Sequence, residues 1–343
     1  DVMGLRAEVA FYKYAFDKLG VDVEMERIGK FKCAAEPYIQ SEMSEPFREV
    51  TDSILDELLR QMAETIGSSR NLTPQRFREI LDEGPFLPAA AERLGLVDGL
   101  AYRDEVEDKL REKLGVDEYN SLALGSYAQA KVEAPSFGAK NQIAIVYGVG
   151  AILRGSSDAD PFFGSDTLGA DTLVEALEQA RKDESIKAVI LRIDSPGGDA
   201  IASDQMWRAL ELTRREKPVV VSMSDVAASG GYYMAMGEDV PVLAYPGTYT
   251  GSIGVFFGKV NLRGLYEKIG LKKEILTRGK FAAIDTDYRA LTPEERAKLR
   301  EGVEAVYEAF VRKVAEARGT SWDEIHEVAQ GRVWLGSQAL AAN

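Results

Sequence analysis

Ala188-Val189-Ile190-Leu191-Arg192-Ile193 runs without a break into Asp194-Ser195-Pro196-Gly197-Gly198-Asp199. A mainly apolar, β-branched run ended by Pro-Gly-Gly reads as a strand buried in a sheet, closed by a tight turn. Upstream, Gln142 to Tyr147 is a second apolar strand, and Asp171-Thr172 caps an amphipathic helix through Lys182. Downstream come a helix from Ser203 to Arg215 and a third strand from Pro218 to Met223. Apolar strands alternating with amphipathic helices make βαβ units and a largely parallel sheet buried on both faces. Helical periodicity returns from Pro293 to Ala317, around Trp322 to Ala329, and earlier from Glu45 to Ile66. The class is α/β.

The chain also repeats itself. Phe16-Asp17-Lys18-Leu19-Gly20 reads like Tyr266-Glu267-Lys268-Ile269-Gly270, an offset of 250 that also carries Gly29-Lys30-Phe31 onto Gly279-Lys280-Phe281 and Gly4 onto Gly254. Gly84-Pro85-Phe86-Leu87 sits like Gly331-Arg332-Val333-Trp334 at an offset of 247. Separated matches at nearly one offset indicate two copies of one unit. Residues 1–116 form the later part of the first copy, 117–140 a turn-rich connection (Asn120, Ser121, Gly125, Ser126, Pro135, Gly138), and 141–343 the second copy, cut before its end. Asp1 in place of a Met is expected of a fragment or a processed form, and no leader can be read.

Composition narrows the functions. Of 343 residues, 42 are Lys or Arg and 56 Asp or Glu, a formal net charge of −14, which argues against a nucleic-acid groove. No stretch approaches the roughly 18 apolar residues of a membrane span. One cysteine, Cys33, and one histidine, His326, exclude an internal disulfide framework and a Cys/His zinc site.

Chemistry in α/β folds collects at strand ends. Beyond Asp194–Asp199, the second unusual end is Ala227-Ala228-Ser229-Gly230-Gly231-Tyr232, after the Pro218–Met223 strand. Glycines let backbone N–H groups point at a ligand, or simply make a turn. Ser229 would be exposed at a helix N-terminus, either as an ordinary N-cap or where free N–H groups stabilise a developing anion. A nucleophilic serine needs a base. His326 lies in Trp322-Asp323-Glu324-Ile325-His326-Glu327, which reads as a solvated helix face, so a Ser-His-Asp triad is disfavoured. Lysine can replace histidine. At the 250 offset Lys32 falls on Ala282 and Val2 on Ser252, so the polar groups are divided between the copies. Taken alone, Lys32 reads equally as a surface amine or a base. Cys33 beside it reads as a small buried residue, since a thiolate needs an electropositive, accessible setting.

Four segments, in order, resemble the signal peptide peptidase A (protease IV) family in its long, duplicated form. They are Gly29-Lys30-Phe31-Lys32 with Ala35-Glu36-Pro37, then Arg192-Ile193-Asp194-Ser195-Pro196-Gly197-Gly198, Ala227-Ala228-Ser229-Gly230-Gly231-Tyr232, and Thr250-Gly251-Ser252-Ile253-Gly254. The resemblance implies two tandem crotonase/Clp-protease-like βαβ units, the first truncated at its N-terminal side. It implies a serine endopeptidase with Ser229 as nucleophile, Lys32 as general base and Ser252 orienting the amine. Backbone N–H groups of Gly198 and Gly230 would form the oxyanion hole, Gly197 being the alternative to Gly198. Hydrophobic peptides such as remnant signal peptides are the implied substrates. A homo-oligomer and association with an inner, plasma or thylakoid membrane, through a segment absent from this sequence, are also implied. No metal, nucleotide or nucleic-acid partner is expected.

Two rival functions share these motifs. A crotonase-like acyl-CoA enzyme uses paired N–H groups to hold an enolate and needs neither Ser229 nor Lys32. A non-catalytic assembly subunit would keep the fold while Ser229 did nothing.

Overall fold

The computed structural model describes residues 4–118, 141–157, 167–278 and 280–342. The expected connection between repeats lies mostly outside the described residues, in 119–140, as do Val2 and Gly279 of the repeat comparison. The chain divides into two compact units, Asp1–Arg6 with Leu55–Lys140, and Ala7–Ile54 with Asn141–Asn343. Residues Ala7–Ile54 thus fold in the same unit as Asn141–Asn343.

The smaller unit is helical. Helix Pro74–Glu83 is capped by Thr73, whose hydroxyl accepts from the Arg76 N–H, and starts on Pro74, where a missing N–H costs nothing. Its Phe77 and Leu81 pack on Ala63, with Leu59, Met62, Ile66, Leu72 and Leu96 around them.

The larger unit contains the strands β1 (Asp22–Ile28), β2 (Gln142–Val149), β3 (Ala151–Leu153), β4 (Thr167–Gly169), β5 (Ile186–Ser195), β6 (Val219–Ala228), β7 (Val242–Leu243), β8 (Tyr249–Gly251), β9 (Val255–Asn261) and β10 (Val333–Leu335). Six of them form one sheet in the order β10-β8-β6-β5-β2, with β7 on β6. β2, β5, β6 and β8 run parallel, while β10 pairs antiparallel with β8. β1 and β9 form a separate antiparallel pair, Asp22 opposite Asn261 and Ile28 opposite Val255.

Helices Ala170–Lys182 and Ala200–Arg214 supply Leu173, Leu177, Met206 and Leu210 to the core around Val189, Leu191, Ile193 and Val221. All four strand residues lie on one face of the sheet. The expectation of a sheet buried on both faces is corrected here, because these helices share one face. On the edge strand β2, Ile143 and Tyr147 are each 63% exposed. A second correction concerns the helix start. Gly169 is the N-cap of Ala170–Lys182, and the Thr172 hydroxyl instead accepts from the Ser157 N–H at 2.8 Å.

Helices of equal length recur 250 and 248 residues apart. Lys13–Leu19 and Arg263–Ile269 are each seven residues and end on left-handed Gly20 and Gly270; Glu45–Arg70 and Pro293–Arg318 are each 26. Helix Pro293–Arg318 also fastens β1. Buried Glu26 accepts from Arg300 at 2.7 Å and from Arg296, which reaches Glu24 at 2.8 Å. Burial alone would raise the Glu26 pKa, but the two guanidinium hydrogen bonds outweigh it and hold the carboxyl below its usual range. The strand that leads to Lys32 is therefore tied down by ion pairs.

Candidate active site

Strand β6 ends at Ala228, and Ser229 turns the chain sharply into the short helix Gly230–Tyr233. Its φ of 52° and ψ of −119° lie where side-chain-bearing residues are rare. Three bonds hold that conformation at either side: Ser229 N–H to Gly251 O at 2.9 Å, Tyr233 N–H to Ser229 O at 2.8 Å, and Met234 N–H to Gly230 O at 3.0 Å. Ser229 does occupy the N-cap position of this helix, but its hydroxyl makes no capping bond. Ser229 is half-buried rather than fully exposed.

Lys32 reaches this hydroxyl from the loop after β1. Its Nζ lies 3.0 Å from Ser229 Oγ, 2.9 Å from Ser252 Oγ and 3.0 Å from the Ser252 carbonyl oxygen. The residue is 4% exposed, and among the described residues no carboxylate pairs with its amine. A desolvated ammonium without a counter-charge gives up its proton more easily, and burial lowers the Lys32 pKa to about 8. The amine lies over the Phe256 ring, 6.0 Å from its centre.

The segment Gln330–Gly331–Arg332 joins the lysine loop to the Ser252 loop. Phe31 N–H donates to Gln330 O at 2.9 Å, Ser252 N–H to Arg332 O at 2.7 Å, and Gly331 N–H to Ile253 O at 2.7 Å. These bonds hold Ser252 at a left-handed φ of 54°. Gly331, with a φ of 79°, has no room for a side chain, since a Cβ there would stand 2.6 Å from Lys32 Cβ and 2.7 Å from its Cα. Gly331→Ala therefore pushes Lys32 away from Ser229. We expect kcat to fall by about 100-fold, the cost of roughly 1 Å of misplacement, with KM little changed. Steady-state kinetics on folded variant checks this, and wild-type kcat would mean that the lysine loop yields elsewhere.

Two backbone amides lie close together beside Ser229. A Cβ built on Gly230 would lie 3.2 Å from Gly198 N, so the two N–H groups are near neighbours. Gly197 N–H is already engaged, donating to Ser195 Oγ at 3.2 Å, whereas no hydrogen bond within the described chain uses the Gly198 or Gly230 N–H. That favours Gly198 over Gly197. The turn is fixed by Ile152 N–H donating to Gly197 O and Asp199 N–H donating to Ile152 O, each at 2.9 Å. A serine hydroxyl, an amine whose pKa burial has lowered and two N–H groups without a partner among the described residues are the parts that acyl transfer requires.

The sequence profile of Peptidase family S49 matches residues 1–117 and 211–343, spans that include Lys32, Ser229, Gly230 and Ser252. The chain belongs to peptidase family S49. It is 36% identical over 341 residues to the chloroplastic serine protease SPPA of Arabidopsis thaliana, covering 98% of this chain and 50% of that protein. It is 32% identical over 352 residues to Protease 4 of Salmonella typhi, covering 99% and 55%. The chain thus spans about half the length of the curated relatives it matches. Among solved structures, a ClpP1 mutant from Listeria monocytogenes overlaps 58% of this chain and 86% of its own, with a TM-score of 0.36 and 14% identity.

In this S49 chain all five residues singled out from sequence lie in one region of the larger unit, with Lys32 contributed from far along the chain. His326 does not join them. It is not a freely solvated helix-face residue either, which corrects the sequence reading. Its ring stacks on Trp322 at 4.6 Å and its Nδ1 is 2.9 Å from the Tyr307 hydroxyl, because helix Trp322–Val328 packs against helix Pro293–Arg318. Cys33 is buried, and burial together with the nearby Glu36 carboxylate pushes its thiol up to about 11. Sequence reasoning missed the Gln330–Arg332 segment, since its bonds to the S49 site are made by main-chain atoms that carry no sequence signature.

Proposed function

We propose that this chain carries the reaction centre of a serine endopeptidase in which Ser229 is the nucleophile and Lys32 the general base. The observation that carries the reading is the buried amine, 3.0 Å from Ser229 Oγ and unpaired with any carboxylate among the described residues. Relatives named as proteases over nearly all of this chain support it.

The three acceptors around Nζ suit this chemistry. A neutral amine has two N–H donors and one lone pair. The donors go to the Ser252 carbonyl and Ser252 Oγ, which leaves the lone pair for the Ser229 O–H. Ser229 Oγ then attacks the peptide carbonyl carbon as its proton passes to Nζ. The carbonyl oxygen becomes an oxyanion and accepts from the Gly198 and Gly230 N–H groups, each worth about 3–4 kcal/mol in such sites. Collapse breaks the C–N bond, and Lys32 returns the proton to the leaving amine. Water, deprotonated by the same amine, attacks the ester carbonyl; the bond to Ser229 Oγ breaks, Lys32 returns the proton to that oxygen, and the acid is released. Hydrophobic peptides, remnant signal peptides among them, are the substrates of this reading, which also expects a homo-oligomer and association with a membrane. The two-copy organisation, with the lysine on the first repeat and the serine on the second, belongs to it too.

A fluorophosphonate bearing an apolar chain tests the assignment. Label is expected on Ser229, and the labelling rate should climb about tenfold per pH unit below pH 8 and level off above it, following the free-amine fraction. An unlabelled Ser229 returns the chain to the acyl-CoA or assembly readings. A rate that is flat from about pH 6 to 9 removes Lys32 as base.

A further inference from the structure

Lys32 has a long, flexible side chain, so its reach to Ser229 depends on where its backbone is fixed. Besides the bonds from Gln330–Arg332, one side-chain contact does this. Arg27 Nη1, on β1, donates to the Lys32 carbonyl oxygen at 3.0 Å. The same nitrogen donates to Glu36 Oε1 at 2.8 Å.

Glu36 is fully buried at the start of the short helix Glu36–Ile39. Both of its oxygens are used. Oε1 also accepts from Ser44 Oγ at 2.8 Å, and Oε2 accepts from the Ser44 N–H at 3.2 Å. Burial would raise the pKa of this carboxyl, but the bonds from Arg27 and Ser44 prevail and keep it ionised. Glu36 makes no ion pair with the Lys32 amine, whose lowered pKa arises from burial alone. Its charge therefore serves Arg27. A buried ion pair rarely adds net stability over an apolar replacement, so a role in fixing geometry is the stronger account of a fully enclosed carboxylate here.

We propose that Glu36, acting through Arg27, is a positioning residue for Lys32. The carboxylate fixes the guanidinium, the guanidinium fixes the Lys32 carbonyl, and the amine is thereby delivered to Ser229. The proposal rests on the reading of Lys32 as general base.

The test compares wild type with Glu36→Gln, Arg27→Met and Ser44→Ala in the full chain. Fluorophosphonate titration counts competent sites, and kcat and KM are then measured per titrated site on an apolar fluorogenic peptide. Glu36→Gln and Arg27→Met should each lower kcat by about 10- to 100-fold with KM within about twofold, the pattern of a displaced base. The double variant should be no worse than the weaker single, and Arg27→Lys, which can still bridge the two oxygens, should recover most of the rate. A purely structural role predicts something else, namely lower thermal stability and fewer titratable sites with unchanged kcat per site, and that result overturns the proposal. If the two stronger variants do not fold, Ser44→Ala decides. A several-fold loss of kcat per site supports the proposal, and no loss sinks it. Failure to label wild-type Ser229 at all would instead defeat the Ser229–Lys32 reading on which this one stands.

Discussion

Ser229→Ala and Lys32→Met should each lower kcat/KM by at least about 1,000-fold, with the double variant no slower than the worse of the two. The size follows from the division of labour at the site. Without the hydroxyl no ester forms, and without the amine Ser229 must lose its proton to water, because no carboxylate or histidine stands at hydrogen-bond distance among the described residues. In the proposed mechanism the two act on one proton, so removing either disables both, and their effects are not expected to add. Residual turnover would come from the Gly198 and Gly230 amides and from substrate binding. Kinetics on the three variants, with circular dichroism to establish folding, checks the expectation. If only Ser229→Ala is inactive, another group takes the proton; if neither variant is impaired, the peptidase reading falls.

Much of the fold is legible in the amino-acid sequence. The apolar runs Ala188–Ile193 and Pro218–Met223, alternating with helical stripes, mark the α/β class and the parallel pairing of these strands, but not which face of the sheet the helices cover. The Pro-Gly-Gly and Ser-Gly-Gly segments marked the strand ends, since few residues tolerate such turns. Lys32 was harder. Nothing local separates a surface lysine from a buried one, and only the repeat and the family resemblance drew attention to it. Its burial depends on Gly331 and Ser252, more than 200 residues away, through contacts that no sequence window contains. The face of β2 was misread for a related reason. Ile143, Ile145 and Tyr147 are as apolar as a core strand, but apolarity does not reveal which face the helices cover. His326 looked solvated because its neighbours are acidic, whereas its packing on Tyr307 comes from another helix.

The buried amine has a thermodynamic consequence that can be measured without any substrate. The Lys32 pKa falls from its ordinary value of 10.5 to about 8 in the folded chain. Between those two values the unfolded chain binds more protons than the folded one, so stability rises with pH across that window. Below pH 8 both states are charged, and the folded state bears the full cost of burying an ammonium, about 3 kcal/mol at 1.36 kcal/mol per pKa unit. Methionine fills nearly the same space and never ionises. The stability difference between wild type and Lys32→Met should therefore move by about 3 kcal/mol in favour of wild type from pH 7 to pH 11, whatever the substitution does to packing. Taking the difference cancels every other titrating group common to both proteins. Urea unfolding at a series of pH values provides the measurement. Parallel stability curves would mean that Lys32 titrates alike in both states, as a hydrated surface amine does. A rise that begins near pH 8, where the Ser229 labelling rate levels off, would instead tie both effects to one proton on one nitrogen. The charge that makes the folded chain less stable at neutral pH is then the same charge that must leave before Ser229 can react.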